Sequence, residues 1–414
     1  MQVTRRWIAL AGTAALLSGC GGGSGPATVS AARPDPGLRP QPNAGYDAWV
    51  AAFRGRAQAQ GVSPATLNAA FRNAGYLPGV VERDRNQTEF SRTLEDYLAI
   101  VASPDKVATG RQKFRQHAGL LSEIEGRHGV PANVVAAVWG MESNYGARRG
   151  DIPVISAVST LAYDGRRGVF FEKQLIAALR ILERGDVSAT NLVGSWAGAM
   201  GHTQFIPTTF EAYAVDFRGD GRRDIWSEDP TDGLASTAAY LGASGWRRGM
   251  PWGQEVRLPS GFDAGLAGRG RRRAVSEWSA LGVRAVSGGA VPDHGAAALL
   301  LPMGLTGPAF LAFLNFDVIL RYNNSENYGI GVGYLSDRIA GAGPLSASFP
   351  PDRNGLTMDD RQMLQQRLTA HGFDTGGSDG VIGPKSEEAI RAYQASVGLP
   401  ATGQPSRELL RRLG

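Results

Sequence analysis

One cysteine, Cys20, occurs in 414 residues, so no intrachain disulfide can form. The five histidines are scattered, and with no HExxH and no paired CxxC they argue against a zinc site. There is no phosphate-binding glycine loop and no long internal repeat. Charge of one sign is not in large excess: 43 Lys and Arg stand against 38 Asp and Glu, a formal +5. Without Arg5 and Arg6, which lie in an apparent export signal, the balance is +3. That mild excess suits an anionic partner such as a cell-wall polymer and is too weak to argue for nucleic acid. The run RGRRR (269–273) reads as a solvated loop. Long apolar runs are missing too. The one near the start, in MQVTRRWIALAGTAALLSGC, is too short to cross a bilayer comfortably and reads as a signal peptide.

What is present divides the chain. Leu17-Ser18-Gly19-Cys20 resembles the bacterial lipobox, whose cysteine is diacylated and becomes the mature N-terminus. Gly21 follows, with no Asp there, the pattern sent to the outer membrane of a Gram-negative cell. The expected parts are a lipoprotein signal peptide (1–19), a Gly/Pro/Ser/Ala-rich disordered tether (20–45), a main domain (46–340), a linker (341–355) and a compact tail domain (356–414). Amphipathic helices are expected in YDAWVAAFRGRAQAQG, in SPATLNAAFRNAG with Ser63 as cap and Pro64 at the first position, in TEFSRTLEDYLAIV, across GRQKFRQHAGLLSEIEGRHG, and in VFFEKQLIAALRILERG. Residues 255–310 are richer in Gly and Val and are expected to hold short strands.

Three stretches could carry chemistry. In VPANVVAAVWGMESNYG, both helix faces around Glu142 are apolar. A carboxylate so placed is disfavoured in its charged form, holds a proton near neutrality and can act as a general acid. Periodicity alone leaves open a structural Glu142 bonded to a neighbouring loop. In SWAGAMGHTQFIPTTF, Gly198 and Gly201 permit close backbone approach, Ser195 and Gln204 offer a hydroxyl and an amide, and Trp196 and Phe205 offer flat apolar surface. That combination suits a sugar, and it equally suits a tight helix contact. RYNNSENYG (321–329) reads by itself as a helix end capped by Asn.

Together the three resemble the membrane-bound lytic murein transglycosylase B family. DGRRGVFF, AVDFRGDGRRDIW, STAAYLGASGW and NFDVILRYNNSENY join GMESNYG and SWAGAMGHTQFIP in family order over about residues 46–340. The resemblance implies a mainly α protein with a lysozyme-like helical catalytic domain, a small strand-containing subdomain, and Glu142 as its one catalytic acid. It implies glycan-lining positions at Arg166, Arg167, Ser195, Met200, Gln204, Tyr240, Tyr322, Asn323 and Tyr328. Phe170 stands where a tyrosine also occurs, so a hydroxyl contact is lost there. Relatives can carry calcium in a loop like DFRGDG. Asp216 and Asp220 are the candidate ligands, but Arg218 replaces an oxygen donor and Ser227 the usual glutamate, which favours a plain glycine turn. No cofactor is required. The tail, in LQQRL, DGVIG, AIRAYQ and GLPATG, resembles a small three-helix peptidoglycan-binding domain. The implied reaction cleaves the MurNAc–GlcNAc bond without water, leaving 1,6-anhydroMurNAc. A hydrolytic muramidase of the same fold and an inactive wall-binding lipoprotein are the rivals. The implied partners are peptidoglycan strands and, through lipidated Cys20, a membrane facing the periplasm.

Overall fold

A computed structural model describes residues 35–86 and 92–414, so Cys20 and the signal segment lie outside the described residues. In chain order the helices of the main domain are α1 (Ala44–Gln58), α2 (Pro64–Phe71), α3 (Pro78–Arg85), α4 (Leu94–Val101), α5 (Pro104–Gln116), α6 (Ala118–His128), α7 (Ala132–Ser143), α8 (Val154–Asp164), α9 (Gly168–Arg184), α10 (Pro207–Tyr213), α11 (Thr231–Ala243), α12 (Val275–Ala280), α13 (Leu314–Tyr322) and α14 (Glu326–Ile339). The tail adds α15 (Met358–Ala370), α16 (Pro384–Ser396) and α17 (Arg407–Arg412). The strands are β1 (Ile152–Pro153), β2 (Val193–Gly194), β3 (Gly253–Arg257), β4 (Arg272–Arg273), β5 (Arg284–Ala285), β6 (Ala297–Leu300) and β7 (Ala309–Ala312). The last five form an antiparallel sheet in the order β4-β6-β7-β3-β5, spanning 253–312 and so reaching two residues beyond each end of the segment expected to hold strands. No helix among the described residues is long and apolar enough to cross a membrane.

Helix starts follow side-chain chemistry. Ser63 caps α2 by accepting the Thr66 N–H at 3.1 Å, with Pro64 in the first turn. Thr93 caps α4, and Ser103 caps α5. Thr357 and Asp360 form a capping box on α15. The expected single helix over 110–129 is instead two, α5 and α6. The backbone leaves helical geometry at His117, which ends one helix and begins the next. Residues 35–45, expected as part of a disordered tether, are ordered. Asp35 pairs with Arg83 at 2.8 Å, the Gln41 N–H donates to the Tyr76 carbonyl, and Asn43 caps α1.

Burial sorts these elements into four cores. One gathers α1–α3 with α8–α10 around Phe53, Leu161, Phe171 and Phe210. A second gathers α4–α7, α11, α13 and α14 around Val135, Trp139, Phe316 and Ile330. The sheet and α12 enclose Trp278, Leu299 and Phe313, and the tail helices enclose Leu364, Ile390 and Leu409. Tyr240 and Tyr322 pack against both of the first two cores, so the seam between those cores runs past α7.

The segment 341–355 is not a loose linker. The N–H groups of Ser346 and Ala347 donate to the Glu255 carboxylate on β3 at 2.8–3.0 Å, and Leu345 and Phe349 pack on the second core.

Close helix approach in that core depends on missing Cβ atoms. The Tyr145 ring lies against Gly140 of α7 and Gly110 of α5, and a Cβ on Gly140 would sit 2.6 Å from the tyrosine Cζ. Gly140→Ala is therefore expected to cost ~1–3 kcal/mol by overpacking and to lower the melting temperature. Gly55→Ala, in a helix with nothing within 4 Å of the added methyl, should be neutral or stabilising by up to about 1 kcal/mol. Calorimetry on the two variants checks this, and equal melting points would refute it.

Candidate active site

α7 is apolar because it is surrounded: Val134 through Gly140 are all buried. Glu142, in its last turn, keeps part of its surface open, while its carboxyl is closely ringed by protein. Burial raises its pKa to about 7, against an opposing hydrogen bond from Tyr328 and the charge of Lys106. The Tyr328 hydroxyl donates to Glu142 Oε1 at 2.6 Å. Burial lowers the pKa of Lys106 to about 8; Arg148 adds to that fall, and Glu142 opposes it. Burial also raises the Tyr97 phenol well above its usual range, with the Glu142 charge adding to it. Glu142 can thus carry a proton near neutrality and release it with little driving force either way.

The turn after α7 is strained. Among the described residues the non-glycine positions with positive φ are Asn144 (51°), Tyr145 (57°) and Gln204 (54°). All three fall in ESNYG or GAMGHTQF. Such residues cost of order 1–3 kcal/mol each and persist only where the surroundings over-determine them. Here they do. The Ser143 hydroxyl donates to the His202 carbonyl at 2.5 Å and accepts the Gly146 N–H at 2.9 Å. Trp139 Nε1 donates to His202 Nδ1 at 3.1 Å, which leaves Nε2 to donate to the Ser227 carbonyl at 2.8 Å. His202 is thereby held as the neutral Nε2–H tautomer, consistent with burial lowering its pKa. The Gln204 amide nitrogen donates to the carbonyls of Arg149 and Gly201, both at 3.0 Å.

Beside Glu142 runs a line of aromatic rings. Tyr322 stacks near Tyr328 at 6.5 Å with a 14° interplanar angle, and meets Tyr240 edge-on at 5.3 Å. Their hydroxyls are fixed, Tyr322 on the Thr203 carbonyl and Tyr240 on the Arg321 carbonyl. Asn323 accepts the Ser325 N–H, shaping the turn into α14.

The expected site residues therefore separate. Glu142, Gln204, Tyr240, Tyr322, Asn323 and Tyr328 belong to one connected arrangement. Ser195 is half-buried and caps its own loop, accepting the Ala197 and Ala199 N–H groups. Arg166 and Arg167 belong to another cluster, both paired to the buried Asp84 of α3. Two positions need correction. Met200 is fully buried in the first core, so its side chain offers nothing to a glycan. Phe205 is buried under Tyr240 and Tyr322 and supports those rings instead of presenting a sugar face. Sequence reasoning missed Tyr97, Lys106 and Asp84, which carry no local signal. His202, quoted within the motif but given no role, could have been singled out as a titratable group directly after Gly201.

The residues at Asp216 do not fit a calcium cage. Both Asp216 oxygens accept backbone N–H groups of Gly219, Asp220 and Gly221, and Arg218 turns away to Glu123 at 2.6 Å. No group of three or more metal-ligating side chains forms among the described residues. A cavity of about 340 Å³ lies between the sheet and Glu326, lined by Ala264, Gly268 and Leu300 among others, and none of the Glu142 group borders it.

A deep apolar helix ending in one half-open acid, beside tyrosines across a helical seam, is a site fitted to general acid–base chemistry. Residues 45–337 match the transglycosylase SLT domain family, and the chain belongs to that family. Residues 357–413 match a peptidoglycan binding domain family. The chain is 32% identical over 245 residues to the membrane-bound lytic murein transglycosylase B of Escherichia coli, a match spanning 58% of this chain and 65% of that protein. Among solved structures, SltB3 of Pseudomonas aeruginosa in complex with NAG-anhNAM-pentapeptide is 49% identical, with a TM-score of 0.73 over 90% of this chain and all of that one. The Escherichia coli lytic transglycosylase Slt35 in complex with calcium is 28% identical, with a TM-score of 0.59 over 72% of this chain and 93% of that one.

Two outcomes follow for Glu142. Its unfolded value is near 4.5 and its folded value about 7. The protonated form is thus favoured by folding, and stability is lost as pH rises from about 4.5 through 7. Glu142→Gln should melt higher than wild type at pH 8 and nearly level with it at pH 4; the reverse order would refute the burial argument. Tyr328→Phe removes a hydrogen bond that favours the carboxylate. Titration of Glu142, followed by carboxyl-labelled NMR, should move up by about one unit; an unchanged or lowered value would overturn the role of that bond.

Proposed function

We propose that the chain is a lytic murein transglycosylase with Glu142 as its single acid and base. The observation carrying this is the Glu142 carboxyl, held near pKa 7 with the Tyr328 hydroxyl on one oxygen. The protonated Glu142 gives its proton to the oxygen joining MurNAc to GlcNAc, and that glycosidic bond breaks. The substrate's N-acetyl group stabilises the cation that develops. The Glu142 carboxylate then takes the proton of the C6 hydroxyl on the same MurNAc, and O6 bonds to C1 to close a 1,6-anhydro ring. The acid is regenerated and no water is used, so the usual second carboxylate is unnecessary. The partly exposed Tyr240 and Tyr322 supply flat faces for sugar rings, the buried Tyr328 holds Glu142 through its hydroxyl, and Gln204 and Asn323 lie nearby as neutral polar groups. Ser195 shapes the loop under them, and Arg166 and Arg167 offer cations to an anionic part of the strand. The tail retains the enzyme on the wall.

General acid–base assistance of this kind is worth ~10²–10⁴-fold. Glu142→Gln should lose at least about that factor in turnover on purified murein while still binding it. Wild-type products should end in 1,6-anhydroMurNAc, one water lighter than hydrolysis products and inert to borohydride. Reducible ends would make the enzyme a muramidase instead.

The finer location rests on Leu17–Cys20. Cys20 carries the lipid that holds the enzyme at the periplasmic face of the outer membrane. Radiolabelled palmitate should label the wild type and not Cys20→Ala; equal labelling would remove the anchor.

A further inference from the structure

Arg361 ties the tail to the rest of the molecule. It lies on α15 and is 3% exposed. Its Nη2 meets Glu95 Oε2 at 2.7 Å and Asp96 Oδ1 at 3.0 Å, both in the first turn of α4. Its Nη1 meets Asp352 Oδ2 at 3.1 Å, and its Nε donates to the Gly380 carbonyl at 2.7 Å. One guanidinium therefore joins three parts of the chain: the main domain, the connecting strap and the tail loop that follows α15. A planar fork of five donors suits this, where an ammonium would not. Buried charges of this kind do little for overall stability, and their best-attested use is to specify one arrangement. The strap is fixed at its other end by Glu255, so the tail is held from both sides.

The docking point is close to the chemistry. Asp96 is next to Tyr97, whose ring lies 2.8 Å from where a Cβ on Gly331 would stand, so α4 and α14 touch there. Asn327, one residue before Tyr328, donates to the Arg92 carbonyl just before α4. The helix that receives Arg361 is thus the helix that packs beside the tyrosine bonded to Glu142.

We propose that Arg361 is an interdomain latch, fixing the peptidoglycan-binding tail on the N-terminus of α4 so that strands gripped by the tail meet the cleft at one set position. This rests on the proposed activity, but the latch itself is read without it. Two variants of the full chain test it from opposite sides: Arg361→Met, and Glu95→Ala with Asp96→Ala. Both should raise the radius of gyration in X-ray scattering and speed protease cleavage within 341–355 about tenfold, since cleavage follows the open population. Both should lower turnover of intact sacculi several-fold and leave turnover of soluble glycan strands as in wild type. Arg361 also bonds within its own domain, so the Glu95/Asp96 variant decides. If that variant keeps wild-type scattering and protease resistance, Arg361 merely supports the tail and the latch is refuted. An equal loss on sacculi and on soluble strands would place the damage in α4 and also refute it. An inactive wild type would remove the proposed function, while scattering and proteolysis would still report on the latch.

Discussion

A single carboxyl kept among apolar neighbours is the constraint on which the rest of this structure turns. Burial raises the Glu142 pKa, and the Tyr328 hydroxyl and the Lys106 charge oppose that rise, leaving it at about 7. The acid on α7 and the two opposing groups on α5 and α14 come from three helices that must meet at one spot. Glycines at 110, 140 and 331 let them do so, with the Tyr145 and Tyr97 rings set where Cβ atoms would be.

Backbone strain is concentrated beside this carboxyl. Asn144, Tyr145 and Gln204 hold left-handed conformations within the two loops that flank it. His202 joins those loops through its ring and its carbonyl, with no polar ring atom left over. The arrangement keeps Glu142 at a helix end with part of its surface open, where a substrate oxygen can reach it, without unpaired buried groups around it. The aromatic line serves the same end. The Tyr240 and Tyr322 hydroxyls are bonded to backbone carbonyls and the Tyr328 hydroxyl to Glu142, so the rings are held before any sugar arrives.

The tail repeats this logic at larger scale. A segment whose composition suggests free rotation is pinned at Glu255 and again at Arg361. Composition reports what a segment would do alone. It does not report a carboxylate 91 residues away that accepts its N–H groups.

Local pattern alone settled several features. The caps of α2, the apolar α7, strands between 255 and 310, and a separate helical tail were legible because they depend on neighbours in sequence. Glu142 stood out because an acid in an oily helix is conspicuous. Motif order carried the family, though not the roles within it. Met200 and Phe205 sit in a motif that suits a sugar, yet both side chains are buried, since a motif cannot say which of its members face inward. The break at His117, the order of residues 35–45, Asp84 beneath the arginine pair, and Lys106 and Tyr97 around the acid came only from tertiary structure. Apart from the break at His117, each depends on a partner tens of residues distant, and the electrostatic balance at Glu142 is a sum over such partners that no local stretch contains.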